Sequence, residues 1–230
     1  NSLGIETITF PSSIANIGIS AFSNNNITSL NLPSSMRIIG KYAFSANKIS
    51  NLTLNNGLTS IGELAFYNNL ITNLSIPNSV TSIGGGAFNG NTLPIEQAYI
   101  YDRNPDGSIN NTVIASYAGP KGGSITLPTG IVTVKDTAFY YCGFTAVTIP
   151  NTVVTIGNSG FEGNKIANIF VPNSVRSIGD FGFVNDIVRP TTIRIDNSSG
   201  SVTLGFIPFG YSWSDETSWT VAIVSPTYLR

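Results

Sequence analysis

The phrase Ile-Gly-x-x-Ala-Phe recurs at a fixed interval, at Ile17 to Phe22, Ile39 to Phe44, Ile61 to Phe66 and Ile83 to Phe88. Degenerate copies follow at Val134 to Phe139, Ile156 to Phe161 and Ile178 to Phe183. Successive phenylalanines lie 22 residues apart, except that Phe88 and Phe139 are 51 apart, so 51 − 22 = 29 residues are inserted there. A period of this length constrains the fold more than any local propensity. One 22-residue unit cannot bury its own apolar face, whereas stacked units share one core.

Counted from each phenylalanine, the other positions align. Eight before it stand Ile14, Met36, Leu58, Val80, Ile131, Val153 and Val175. Five after it stand Ile27, Ile49, Ile71, Leu93, Phe144, Ile166 and Val188, and ten after it Leu32, Leu54, Ile76, Ala98, Ile149, Val171 and Ile193. Segments such as Ile27-x-x-Leu30-x-Leu32 end in the alternation of a strand with one buried face. Proline follows in six of the seven copies (Asn55 is the exception) and stops the strand, because it has no N–H for a ladder. The glycine of Ile-Gly suits a tight turn before the Ala-Phe piece.

Leu-x-x-Leu-x-Leu joined to Pro-x-x-Val-x-x-Ile-Gly-x-x-Ala-Phe resembles the BspA-like (Treponema pallidum-type) subfamily of leucine-rich repeats, over roughly residues 5–193. The resemblance implies a curved leucine-rich-repeat solenoid, mostly β with short helical or 3-10 turns. It also implies a secreted or surface-anchored protein of bacteria or mucosal protozoa, used in adhesion to host or matrix proteins. The resulting layout is seven repeats of about 22 residues over 1–193, a hairpin insertion at about 94–122, and a β-rich C-terminal cap over 194–230. The cap is expected because an open solenoid end needs covering, and residues 194–230 hold both tryptophans, Trp213 and Trp219, with Phe206, Phe209, Tyr211 and Tyr228. At the other end Ile5, Ile8 and Phe10 fill the slots that follow a missing phenylalanine, as though further turns or a cap preceded them.

Composition excludes several functions. Only 10% of the residues are charged, 11 basic against 12 acidic, so nothing draws the chain to nucleic acid or anionic lipid. Histidine is absent, which removes the commonest general base and metal ligand together. No run of 18 apolar residues could span a bilayer. No phosphate loop, nucleophile triad or glycosidase carboxylate pair stands out, and the five Asn-x-Ser/Thr sequons follow from Asn- and Thr-rich columns. No enzyme activity and no cofactor are expected.

Three features invite a chemical reading. The lone cysteine, Cys142, occupies the column three after phenylalanine, held elsewhere by Asn25, Asn47, Asn69, Asn91, Asn164 and Asp186. It is read as a ladder residue whose neighbours satisfy backbone groups, with no histidine to activate it. Asp102, Asn104 and Asp106 begin a calcium-loop pattern, but the twelfth position is Val113 instead of a bidentate Glu. The favoured reading is a hairpin turned by Asn-Pro-Asp-Gly between aromatic strands, and hairpin inserts of this kind also occur in the family that the chain resembles. The third feature is the outward strand column Asn31, Thr53, Ser75, Thr148 and Phe170, which in leucine-rich repeats lines the concave sheet. It serves either as a ligand face or as a set of cross-strand pairs that only stabilise the sheet. With the exposed pair Tyr140 and Tyr141, and Tyr99 and Tyr101 in the insertion, these residues are the candidate binding surface. The expected function is non-enzymatic binding or adhesion to a host, matrix or other cell-surface protein, outside the cell. A passive spacer displaying another domain, or a glycan-binding module, is the alternative.

Overall fold

Short parallel strands carry the repeat in a computed structural model that describes residues 3–185, 192–196 and 202–209, and the backbone of 220–224. The chain forms two compact units, Asn1–Pro120 and Lys121–Arg230. Each is a mostly-β solenoid with its own stack of turns.

In the first unit the two-residue strands Asn16–Ile17, Ile38–Ile39, Ser60–Ile61 and Ser82–Ile83 pair in parallel, one period apart. They sit on the Ile of each Ile-Gly, where the sequence pattern indicates only a turn. The expected Leu-x-Leu strands form a second row, in which Ser29–Asn31 pairs with Asn51–Thr53. Leu30 and Leu52 turn inward there, while Asn31 and Thr53 are exposed.

The core is a file of phenylalanines. Phe22, Phe44, Phe66 and Phe88 stack with centroids 5.5, 5.6 and 5.3 Å apart and planes within 11° of parallel. Parallel strands are spaced about 4.8 Å apart, and this spacing fixes the ring separation in the range where offset stacks are favourable. Around the rings lie Met36, Ile39, Leu58, Ile61, Val80 and Ile83, all fully buried. Each contributes about 1.5–3 kcal/mol by leaving water.

Backbone conformation alternates around each ring. Tyr42 (φ 55) and Ala46 (φ 54) flank Phe44 in the left-handed region, as Leu64 (φ 53) and Asn68 (φ 55) flank Phe66. Consequently Tyr42, Phe44 and Ala46 all donate their N–H groups to the next turn, to Glu63 O, Ala65 O and Tyr67 O at 3.0, 2.8 and 2.8 Å. The N–H groups between them close bonds within the turn, Ala43 to Gly40 O and Ser45 to Tyr42 O. A left-handed non-glycine residue costs roughly 1–2 kcal/mol, which the inter-turn bonds offset. The Ile-Gly glycines have a different reason. A Cβ on Gly62 would lie 2.5 Å from Lys41 N, and one on Gly84 2.2 Å from Glu63 N. Glycine marks the place where neighbouring turns touch.

The insertion forms the 3-10 turn Ile95–Gln97 and an antiparallel hairpin, Tyr99–Arg103 with Ile109–Tyr117. The end of the second hairpin strand takes the place of a next turn. Gly86 N donates to Ala115 O, Phe88 N donates to Ser116 Oγ, and that hydroxyl donates to Asn89 Oδ1 at 2.6 Å. The interruption therefore caps the last phenylalanine turn of the first unit.

The second unit repeats the scheme with Thr133–Val134, Thr155–Ile156, Ser177–Ile178 and Thr203–Leu204 in parallel. Ser124–Thr126 pairs with Ala146–Thr148, and Asn168–Val171, Thr192–Asp196 and Thr220–Val224 form a three-stranded row. Phe139, Phe161, Phe183 and Phe209 stack at 4.8, 5.0 and 5.9 Å. The last step is longer, and Phe206 N donates to Asp180 Oδ1 across 26 residues. The segment assigned to the cap thus opens with one further, stretched turn. Trp213, Trp219, Tyr211 and Tyr228 lie outside the described residues.

Candidate binding surfaces

The asparagine column lies inside the stack, where it works as expected. Asn47 Oδ1 accepts from Ile27 N at 3.1 Å, and its Nδ2 donates to Phe22 O and Phe44 O at 2.8 and 3.1 Å. Asn69 and Asn91 repeat the pattern in the first unit, and Asn164 repeats it in the second. Each amide ties two turns together through main-chain groups that have no strand partner. At Cys142 a main-chain oxygen substitutes for the amide oxygen, because Gly122 N donates to Cys142 O at 2.9 Å. Its thiol is buried, and burial pushes its pKa up to about 12 against a small opposing pull from Lys121. A thiol protonated at neutral pH is a poor nucleophile.

The outward column divides between the units. In the first, Asn31 stands directly opposite Thr53, and Ser29 opposite Asn51. Ser75 is exposed, but its segment is not in a strand. In the second unit Thr148 stands opposite Thr126. Phe170 is 43% exposed, and the Arg194 guanidinium lies over its ring at 5.3 Å, on the strand residue paired with it. Tyr140 and Tyr141 meet edge to face at 4.5 Å. Tyr141 is exposed and Tyr140 half-buried. The Tyr141 ring is seated on Gly163 of the next turn, where a Cβ would lie 2.4 Å from the ring. A second edge-to-face pair, Phe181 with Phe206, is also exposed and escaped the column analysis.

Tyr99 and Tyr101 are half-buried and line a recess of 340 Å³ between the hairpin and the turn at residues 73–76. Burial raises both phenol pKa values, so these hydroxyls stay neutral. Arg103, which the sequence did not single out, shares the recess with the amides of Asn73 and Gln97. Its Nη1 donates to Gly107 O at 3.2 Å and its Nη2 to Ile76 O at 3.3 Å, while buried Nε has no acceptor. Desolvation lowers its pKa, against the pull of Asp102.

The three oxygen-bearing residues of the calcium pattern are engaged elsewhere. Asp102 Oδ1 accepts from Ile83 N, Asn104 Nδ2 donates to Ser108 Oγ, and Asp106 Oδ1 accepts from both Ser108 N and Ser108 Oγ. Among the described residues no group of three His, Cys, Asp or Glu side chains is placed to hold a metal ion, and no helix is long and apolar enough to cross a membrane.

A model of the BspA-type leucine-rich repeat region matches residues 1–104 and 114–202 in six copies. No curated protein matches the chain. Among solved structures, a leucine-rich repeat protein from Eubacterium ventriosum shares 25% identity over 80% of this chain and 52% of its own, with a TM-score of 0.65. One from Bacteroides ovatus shares 23% identity over 87% of this chain and 51% of its own, with a TM-score of 0.47. A leucine-rich cell surface protein from Faecalibacterium prausnitzii shares 18% identity over 85% of this chain and 77% of its own, with a TM-score of 0.43. The chain spans about half the length of the first two.

Proposed function

The chain belongs to the BspA-type leucine-rich-repeat family, and on that premise we propose that it is a binding or adhesion ectodomain without catalytic activity. It acts outside the cell, secreted or held at a surface, and recognises a host, matrix or other cell-surface protein through its outward strand positions. The observation that carries this reading is the pairing of exposed, uncharged side chains in register, Asn31 with Thr53 and Thr126 with Thr148. Hydroxyls and amides held one strand spacing apart offer a partner's main chain donors and acceptors without a charge to desolvate. Exposed aromatics of the second unit, Tyr141 and Phe170, supply the anchors on which protein interfaces concentrate their energy.

The test is a surface-plasmon-resonance screen of the chain over immobilised extracellular-matrix proteins and cell-surface ectodomains. Binding to at least one is expected. Thr53→Lys, Thr148→Lys or Tyr141→Ala should weaken it about tenfold or more, as loss of a hot spot does. Silence across the panel rejects the proposal in favour of a spacer, and binding that every variant leaves intact rejects the strand rows as the binding surface.

A further inference from the structure

We propose that the 340 Å³ recess beneath the insertion hairpin is a binding site for a carboxylate-bearing sugar, anchored by Arg103. This goes beyond the protein-binding reading, because a sugar site stands even if the strand rows bind nothing.

The argument starts from the guanidinium. Arginine carries five N–H donors in a planar fork, and Arg103 uses Nη1 and Nη2 on two main-chain carbonyls at 3.2 and 3.3 Å. Those bonds hold the fork in place without neutralising it. Among the described residues Arg103 makes no ion pair, its enclosed Nε has no acceptor, and desolvation lowers its pKa against the pull of neighbouring Asp102. A held, under-solvated cation facing a recess favours an anion, and the planar fork matches a carboxylate better than a point charge does.

The rest of the lining selects the anion's carrier. Leu74 and Ile76 provide apolar wall, and Tyr99 and Tyr101 add aromatic surface with neutral hydroxyls. Asn73 and Gln97 add exposed amides that donate and accept. Vicinal hydroxyls on a ring with apolar C–H faces use all of these, whereas an acidic side chain uses only the arginine. The volume lies at the small end for ligand sites, which suits one sugar ring. A single arginine, without a second cation or a cradle of N–H groups, is a weak match for the greater charge of a phosphate. The recess is preformed, because the hairpin tip is seated on residue 78. A Cβ on Gly107 would fall 1.7 Å from Asn78 O.

The experiment is calorimetric titration of the full chain with N-acetylneuraminic acid and with glucuronic acid, beside N-acetylglucosamine, glucose and N-acetylglutamate. At least one acid sugar should bind, with the neutral sugars and N-acetylglutamate at least about tenfold weaker, and Arg103→Gln should lose at least about tenfold. Lys165→Gln, an equal charge change on the second unit, should bind as the parent does. If Arg103→Gln melts early, Asn73→Ala removes one exposed lining amide without touching the hairpin and should weaken binding several-fold. The proposal is overturned if neither acid binds, if neutral sugars or N-acetylglutamate bind equally well, or if folded Arg103→Gln or Asn73→Ala binds like the parent. Thr148→Lys, on the second unit, should leave the titration unchanged, so this site and the strand-row reading fail separately.

Discussion

At the scale of single residues, the stack depends on a few side chains that do main-chain work. Asn69 is 3% exposed and satisfies Ile49 N, Phe44 O and Phe66 O. Replacing it with alanine leaves Ile49 N buried without a partner, at roughly 1–3 kcal/mol, while Phe44 O and Phe66 O each lose one of two donors and keep the amides of Asn47 and Asn91. Asn69→Ala should therefore lower stability by roughly 2 kcal/mol, read from the midpoint of urea unfolding. A loss below about 1 kcal/mol would show that water replaces the amide. Much of this was legible in the sequence, since a polar residue repeating inside an apolar period has to serve the backbone. The exception was legible too, but not its mechanism. Cys142 fits its slot because Gly122 N finds Cys142 O, and a main-chain acceptor leaves no trace in residue type. The left-handed positions were hidden for a related reason. They fall on residues as unlike as Tyr42, Leu64, Thr137 and Ser159, so the strain is imposed by stacking and not by local preference.

At the scale of elements, the hairpin shows how far local chemistry reaches. Asn-Pro-Asp-Gly announces the turn, and the turn forms, with Asn104 N donating to Ser108 O and Gly107 N to Asn104 O. What the sequence does not announce is where the hairpin lies, because its tip rests on the main chain of Ile76 and Asn78. The recess and Arg103 were missed on that account. Gly107 takes φ +82 and leaves no room for a Cβ, so Gly107→Ala should lift the tip. Faster amide hydrogen exchange is expected at Asn104 and Gly107, with protection of Phe44 and Phe66 unchanged. Equal loss of protection in the stack would mean that the hairpin is integral to its folding. The two-residue strands on each Ile-Gly escaped for a simpler reason, since two residues are too few to reveal an alternation.

At the scale of the whole molecule, charge is nearly absent from the energetics. With 10% charged residues and a half-exposed ion pair, Lys41 with Glu63 at 2.8 Å, Coulomb terms add about 1 kcal/mol per pair. The melting temperature should move by less than about 3 °C between 0.05 and 1 M NaCl, because there is little for salt to screen. A larger fall would reveal charge networks among residues outside those described. The stabilising contacts are instead copied from turn to turn, and that copying has a genetic consequence. If residues 45–66 were excised, Asn69 would meet Ile27, Phe22 and Phe44 in place of Ile49, Phe44 and Phe66, and the amide would keep its partners. Excision of 21 or 23 residues would put every later turn out of step. Unequal recombination within such a gene therefore yields foldable chains only in whole increments, and length in this architecture is inherited in quanta.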